Sequence, residues 1–252
     1  MISIKEGMID MYSFNSRVRY SELNHRNELL DCSSIINYFQ DCSTFQSEDL
    51  NRGLAYLQSE NRVWMLGSWQ LHILKPAKLG DNIIVGTWAY DFKGFYGYRN
   101  FIMKNDADEV LAVANSIWIY MDTITGRPAR IPKDYAITSG YGFEPAYPME
   151  YADRKIDFPE NYEVLAPFLV TKSNIDSYHH VNNSQYVKLA EEYLPDDFIA
   201  QSMRVEYRAQ ATLGKVIIPL LAIHNNYYTI SLADEQHNPY AIVEFRGKSC
   251  DE

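Results

Sequence analysis

Residues 173–186 of this chain read SNIDSYHHVNNSQY, so an acid, two histidines and two asparagines fall within eight consecutive positions. From Tyr186 onward the residues follow the spacing of an amphipathic helix. Its apolar face would comprise Tyr186, Val187, Ala190, Tyr193 and Leu194, and its charged face Lys188, Glu191 and Glu192. Asn182 or Asn183 is a good N-cap for this helix, because a short amide side chain accepts hydrogen bonds from the first turn. His180 is therefore predicted just before a helix N-terminus, where negative charge is favoured.

These residues allow two interpretations. In the chemical one, a titratable base lies beside helix N–H groups that stabilise an oxyanion, an arrangement that suits acyl transfer. In the structural one, Asp176 and the asparagines cap a turn, and both histidines are ordinary polar loop residues. Composition alone favours the structural interpretation.

The same stretch resembles the second-half motif of acyl-acyl carrier protein thioesterases. The family pattern reads approximately Asp-x-Asn-x-His-Val-Asn-Asn. The positions that match it here are Asp176, His180, Val181, Asn182 and Asn183. Tyr178 stands where the family usually has Asn. The resemblance reverses the preference and favours the chemical interpretation.

The bulk composition is that of a globular protein, with 252 residues, 46% hydrophobic and 22% charged. The net charge of −10 argues against nucleic-acid binding, which depends on neutralising phosphates. No apolar run could span a bilayer and residues 1–7 do not resemble a signal peptide, so a cytoplasmic location is expected. The cysteines, Cys32, Cys42 and Cys250, are too few and too scattered for a disulfide framework or a zinc site. Neither a metal nor a cofactor is expected.

The first half of the chain predicts a strand, a helix and four strands. The strand covers residues 13–20, and Ser33 or Ser34 could cap the helix that follows. The apolar face of that helix is predicted to comprise Ile35, Ile36, Tyr38, Phe39, Cys42 and Phe45. Period-two alternation then predicts strands at 63–74, 82–92, 95–104 and 110–122, which must be antiparallel because their connections are short.

The second half repeats this order after a Pro- and Gly-rich stretch at 123–167. A strand at 164–175 leads into the motif and its helix, and strands are predicted at 202–210, 216–224, 227–233 and 240–246. Residues 211–215 resemble residues 77–81 in position and content. The chain is therefore predicted to be an α+β double hotdog, in which two antiparallel sheets each wrap a central helix, and the family resemblance implies the same fold. The expected boundaries are an N-terminal domain at 1–135, a connection at 136–163 and a C-terminal domain at 164–252.

The two halves differ in their chemistry. Where the second half has the motif, residues 24–28 of the first half read NHRNE, and aligning Leu79-Gly80 with Leu213-Gly214 places Pro76 opposite Gln210. We expect the first half to supply pocket wall and only the second half to be active.

The resemblance also implies a mechanism. Plant members of the family carry Glu and then Cys after the motif helix, whereas this chain has Gln210 and Ala211, which excludes a covalent cysteine at this position. Hydrolysis by an activated water is expected, with His180 or Asp176 as general base and Gln210 orienting the water or the thioester. The N–H groups near Asn182 and Asn183 would stabilise the oxyanion. Tyr178 would take over the task of the family Asn.

The function implied is hydrolysis of fatty acyl-acyl carrier protein to free fatty acid and holo-acyl carrier protein. Two alternatives stay open: an acyl-coenzyme A thioesterase, and a noncatalytic acyl-binding regulator on the same fold. The expected partner is acyl carrier protein with a phosphopantetheine-linked chain. Either a monomer or a homodimer is compatible with the sequence, because two hotdog units imitate a dimer while edge strands are left exposed.

Overall fold

The computed structural model describes residues 11–24, 28–225 and 227–249, so residues 1–7, His25 and Cys250 of the preceding section lie outside it. Within these ranges there are four α-helices, which are α1 (Cys32–Asp49), α2 (Leu54–Ser59), α3 (Tyr135–Thr138) and α4 (Asn183–Glu191). The strands are β1 (Tyr12–Arg17), β2 (Arg62–Ile73), β3 (Asn82–Lys93), β4 (Tyr96–Asn105), β5 (Val110–Asp122), β6 (Arg127–Pro128), β7 (Glu163–Val164), β8 (Phe168–Leu169), β9 (Phe198–Tyr207), β10 (Val216–Ile223), β11 (Tyr227–Ala233) and β12 (Pro239–Ser249). Short 3-10 turns cover Tyr20–Glu22 and Lys172–Asn174.

One antiparallel sheet runs through both halves of the described chain. Its strand order is β1-β3-β4-β5-β2-β9-β12-β11-β10-β7, with β6 beside β5 and β8 beside β10. The halves meet where β2 pairs with β9, from Ser68 opposite Glu206 to His72 opposite Ser202. Each half-sheet packs its apolar inner face on one helix, α1 or α4, which confirms the double hotdog. Because one sheet continues through both halves, it does not mark where a domain ends, and the division into 1–135, 136–163 and 164–252 stays a prediction.

The two central helices lie side by side in opposite directions. At one end the Cys32 N–H donates to Glu191 Oε1 over 2.9 Å, and nearer the other end Asn183 Nδ2 donates to Gln40 Oε1 over 3.5 Å. The predicted cap of α1 was wrong. Asp31 is the N-cap and accepts from the Ser34 N–H, because both serines already lie inside the first helical turn.

The predicted strand at 164–175 is also wrong as a single element. It divides into β7 and β8, which both pair with β10, and the chain leaves the ladder at Pro167, which has no N–H to donate. Beyond β8 the Thr171 N–H donates to Asn174 Oδ1 over 2.9 Å and closes the 3-10 turn. The approach to the motif is therefore a turn rather than a strand.

The segment between the halves lies along the outer face of the sheet. Trp88 Nε1 donates to Pro145 O over 2.9 Å, Gln70 Nε2 donates to Glu150 O over 2.8 Å, and the Ile156 N–H donates to Glu206 Oε2 over 2.9 Å. These bonds fasten it first to strands of the N-terminal half and then to β9. Among the described helices, none combines the length and apolar character that crossing a bilayer requires.

Candidate active site

The motif loop is held by backbone hydrogen bonds. Asp176 Oδ1 accepts from the Tyr178 N–H over 2.9 Å and from the His180 N–H over 3.4 Å, and the Asp176 N–H donates to His180 O over 2.9 Å. His179 adopts a left-handed conformation, with φ of 62°, that lets the chain reverse so tightly. Asn182 is the N-cap of α4 and accepts from the Ser184 N–H over 2.9 Å. The capping contacts of the structural interpretation are therefore present.

The loop is also attached to the segment after β9. His180 forms a β-bridge with Thr212, and the Val181 N–H donates to Ala211 O over 3.0 Å. From the other side, the Ala211 N–H donates to the buried Tyr186 hydroxyl over 2.9 Å. These contacts place Gln210, the residue before Ala211, next to the loop.

A cavity of about 500 Å³ opens where the loop faces α1. The predicted site residues that line it are Asp176, Tyr178, His180, Asn183 and Gln210. Asp176 and His180 are half-buried, whereas Tyr178 and Gln210 are exposed at the mouth. Asn182 is absent from the wall that these described residues form. Its side chain caps α4, and its N–H donates to Asn174 O over 2.9 Å.

The polar groups at the mouth include two with unusual surroundings. Nδ1 of His180 is buried and has no hydrogen-bond partner among the residues that the structure describes. The pKa of Tyr178 is raised, first by burial and then by the nearby charges of Asp176 and Glu48. The Tyr178 hydroxyl is therefore neutral at physiological pH and able to donate a hydrogen bond.

Most of the remaining wall comes from the first half of the chain. The apolar part comprises Leu54, Leu57, Val63, Trp64, Met65, Leu66, Phe92, Trp118 and Ile119. The polar part of the wall has two sources. One is a stripe along α1, formed by Gln40, Ser43, Thr44, Ser47 and Glu48, and the other is the pair Arg99 and Tyr141, which lie outside that helix.

The sequence analysis missed this polar stripe. Its signal was the recurrence of polar residues on α1 at helical spacing, which begins at Gln40 and ends at Glu48. Phe45 was instead predicted on the buried face of α1, and its side chain is 44% exposed.

Both halves of the chain match models of one protein family. Residues 10–138 match the profile of the acyl-ACP thioesterase N-terminal domain, and residues 160–242 match that of the acyl-ACP thioesterase C-terminal domain. The chain belongs to the acyl-ACP thioesterase family. It spans about half the length of the curated relatives that it matches.

Two of these relatives are plant proteins. A chloroplastic palmitoyl-acyl carrier protein thioesterase of Arabidopsis thaliana is 27% identical over 174 residues, which is 65% of this chain and 42% of the relative. A chloroplastic acyl-[acyl-carrier-protein] hydrolase of Cuphea viscosissima is 22% identical over 237 residues, covering 87% and 55%.

Solved structures share the fold over nearly the whole chain. An acyl-ACP thioesterase from Bacteroides thetaiotaomicron superposes with a TM-score of 0.86 at 18% identity, covering 94% of this chain and 98% of the other. The 12:0-ACP thioesterase from Umbellularia californica gives 0.83 at 16% identity, covering 95% and 97%.

Ala211, which the sequence resemblance sets against the cysteine of plant members, is 1% exposed. The described cysteines, Cys32 and Cys42, are buried free thiols of α1 and do not line the cavity. Burial raises the pKa of Cys42 to about 12, which disfavours the reactive thiolate. Across the described ranges, no group of three or more His, Cys, Asp and Glu residues is placed to hold a metal ion.

Proposed function

We propose that this chain hydrolyses fatty acyl-acyl carrier protein to free fatty acid and holo-acyl carrier protein. The observation that carries the proposal is the meeting of Asp176, His180 and Gln210 at the mouth of a cavity with an extended apolar wall. An acyl chain would lie against that wall, and its thioester carbonyl would remain at the mouth beside the three polar side chains. Family membership supports the same reaction class.

We assign the general base to His180. Neither nitrogen of its imidazole is hydrogen-bonded to a described residue, and Nδ1 is the buried one, which leaves Nε2 to meet a water; Asp176 Oδ1, in contrast, already accepts from two backbone N–H groups. A water at the mouth would lose a proton to the imidazole and attack the thioester carbonyl carbon. The tetrahedral intermediate would then break its C–S bond, and the departing thiolate would take the proton back from the His180 imidazolium, which leaves the imidazole neutral for the next turnover. Asp176 would fix the turn that presents His180.

The developing oxyanion has one donor available in the first turn of α4. The Asn182 N–H donates to Asn174 O and the Ser184 N–H donates to Asn182 Oδ1, but the Asn183 N–H has no acceptor among the described residues. One such donor contributes about 3 kcal/mol to transition-state stabilisation in other enzymes. The neutral Tyr178 hydroxyl and the Gln210 amide, both at the mouth, would orient the water or the thioester.

The proposal is tested by measuring free-thiol release from acyl-carrier-protein and acyl-coenzyme A thioesters of the same chain length. Faster release from the carrier-protein thioester is expected, and a series of chain lengths would then define the preferred chain. A faster reaction with coenzyme A would contradict the assigned carrier. Saturable acyl binding without thiol release would contradict hydrolysis and favour a noncatalytic acyl-binding protein.

A further inference from the structure

Arg99 is a buried cation in the cavity wall. It lies on the inner face of β4, two positions before Phe101 in the core, and is 7% exposed. Its Nη2 donates to Gln46 Oε1 of α1 and, over 3.3 Å, to Thr87 Oγ1 of β3, while the guanidinium lies 5.3 Å from the centre of the Tyr141 ring. All of these partners are neutral.

Nothing in the described chain neutralises this charge. Arg99 forms no ion pair with a described carboxylate, and its Nη1 has no described acceptor. The buried Glu206 shows the contrast, since Arg154 and Arg208 approach its carboxylate within 3.3 Å and 2.9 Å. A buried charge without a counter-charge is costly, and burial indeed lowers the pKa of Arg99. A ligand that brings an acceptor oxygen to the guanidinium would offset that cost.

The guanidinium is well separated from the proposed reaction centre. Arg99 contacts α1 at Gln46, whereas Asn183 of the proposed site contacts it at Gln40. These two points on α1 are six residues apart, which corresponds to about 9 Å along the helix axis. Across the sheet, β5 and β2 lie between β4 and β9, so three strand spacings, about 14 Å, separate Arg99 from β9. A chain whose carbonyl sits beside His180 would reach Arg99 with a part several carbons further on.

The wall near Arg99 is polar on one side only. Ser43, Thr44 and Ser47 present hydroxyls whose protons are engaged by α1 carbonyls, and Ser47 Oγ lies 2.8 Å from the Tyr141 hydroxyl. The facing side carries Trp64 and other apolar residues of β2 and β5. These hydroxyls already have partners, so what a plain hydrocarbon chain would fail to supply is an acceptor for Arg99 Nη1, which has none among the described residues.

We propose that Arg99 makes this cavity selective for acyl chains that bear an oxygen substituent several carbons beyond the thioester, as a hydroxyl, a keto group or a distal carboxylate. The inference rests on the proposed hydrolysis of acyl thioesters and adds a substrate class to it. A site built to hydrogen-bond a substrate oxygen discriminates strongly against the analogue that lacks it, because its buried polar groups are then left unpaired.

The test compares acyl-carrier-protein thioesters in pairs of equal chain length, one plain and one carrying a mid-chain hydroxyl, keto group or terminal carboxylate. For the wild-type protein we expect kcat/KM to be at least about tenfold higher for one of the oxygenated chains, and the arm that gains most identifies the group. Arg99→Met should bring that ratio to about one or below, chiefly by slowing the oxygenated substrate. Arg127→Met, which removes an exposed arginine outside the cavity, should leave the ratio unchanged.

Three outcomes would overturn the inference: a wild-type preference for every plain chain, equal slowing of both chains by Arg99→Met, or a ratio that Arg99→Met leaves unchanged. Equal slowing would mean that Arg99 only holds α1 on the sheet. If Arg99→Met does not fold, Arg99→Lys keeps the charge but loses the planar fork, and should retain only part of the preference; a fully retained preference would contradict the assignment.

Failure of the proposed hydrolysis is recognised separately. If no thioester of either kind releases thiol, binding of the free plain and oxygenated fatty acids is followed through the fluorescence of Trp64 and Trp118 in the cavity wall. Tighter binding of an oxygenated acid that Arg99→Met abolishes would support the inference without hydrolysis. Equal binding of both acids would overturn it.

Discussion

The loop before α1 and the loop before α4 occupy equivalent places in the two halves of the molecule. The Leu30 N–H donates to Ala77 O over 3.0 Å, as the Val181 N–H donates to Ala211 O over 3.0 Å. One position before these donors, Leu29 forms a β-bridge with Lys78, and His180 forms the matching β-bridge with Thr212. The duplication has therefore kept the same backbone scaffold around both helix N-termini.

The side chains on this scaffold differ at the positions assigned to chemistry. Leu29 is the first-half counterpart of His180, and Pro76 is that of Gln210. Asn24, whose N–H donates to Leu29 O over 2.7 Å, takes the place of Asp176. The first-half loop is also one residue longer between these two positions. The comparison teaches that the fold supplies the loop and the helix end, whereas a few side chains decide whether a base and a carboxylate are present.

Converting the second-half loop to the first-half residues should have the largest effect. His180→Leu removes the proposed base, and we expect kcat for thiol release to fall by about 10²–10⁴-fold, the usual contribution of general base catalysis. Asp176→Ala should also lower kcat by orders of magnitude, because the side chain that accepts from the Tyr178 and His180 N–H groups, and so fixes the turn that presents His180, is lost. Asp176→Asn, which introduces the first-half residue, keeps an oxygen that can accept from the Tyr178 N–H and should lower kcat less, with little change in thermal unfolding. Unchanged turnover in both His180→Leu and Asp176→Ala would remove this loop from the chemistry.

A smaller effect is expected at Gln210, where the first half has proline. Gln210→Ala should lower kcat by about tenfold or less, because this exposed amide orients a reactant and transfers no proton. Gln210→Glu, which introduces the acid found in plant members, is the matched control and should remain active. A loss with Gln210→Ala as large as that of His180→Leu would show that the amide does more than orient.

The sequence predicted the long strands well because their signals are local. Period-two alternation and Gly- or Pro-containing turns lie within each segment, and β2, β3, β4 and β5 begin and end within a residue or so of their predicted bounds. The division of residues 164–175 was missed because it depends on pairing with β10, which lies some fifty residues away in the sequence. Residues 208–210 leave the sheet for a similar reason, since the Arg208 and Ala209 N–H groups both donate to Tyr240 O.

In the candidate site, too, the sequence did not predict the features that depend on contacts between distant segments. The family resemblance supplied Asp176, His180 and Gln210, which the structure brings to one cavity. The bonding of the Asp176 carboxylate to backbone N–H groups depends on the left-handed turn at His179, a conformation that histidine adopts more often than most residues but still only occasionally, so the sequence does not place it. Arg99 was not singled out, because its burial arises from α1 and Tyr141, which lie far from it in the sequence.

Tyr186 offers a test of how the second half fixes its loop. Its hydroxyl accepts from the Ala211 N–H, and the equivalent position of α1, the fourth after the N-cap, is Ile35. Tyr186→Phe leaves a buried N–H without a partner, so the free energy of unfolding should fall by about 1–3 kcal/mol in denaturant titrations. Tyr207→Phe, which removes a hydroxyl that donates to Asn183 O, should cost about 1 kcal/mol. Equal stability of Tyr186→Phe and the wild-type protein would mean that water replaces the hydroxyl.

The smallest effect is expected when histidine is placed in the first-half loop. Leu29→His puts an imidazole on the equivalent backbone position, but Asn24 brings no carboxylate, Pro76 brings no amide, and Leu29 is not part of the cavity wall. Thiol release should therefore be unchanged in the wild-type background and should not recover in the His180→Leu background. Both are measured at saturating substrate, with thermal unfolding as the control for folding. Recovery of turnover in the double variant would show that the scaffold alone nearly suffices, and that the first half holds a latent site one side chain away from activity.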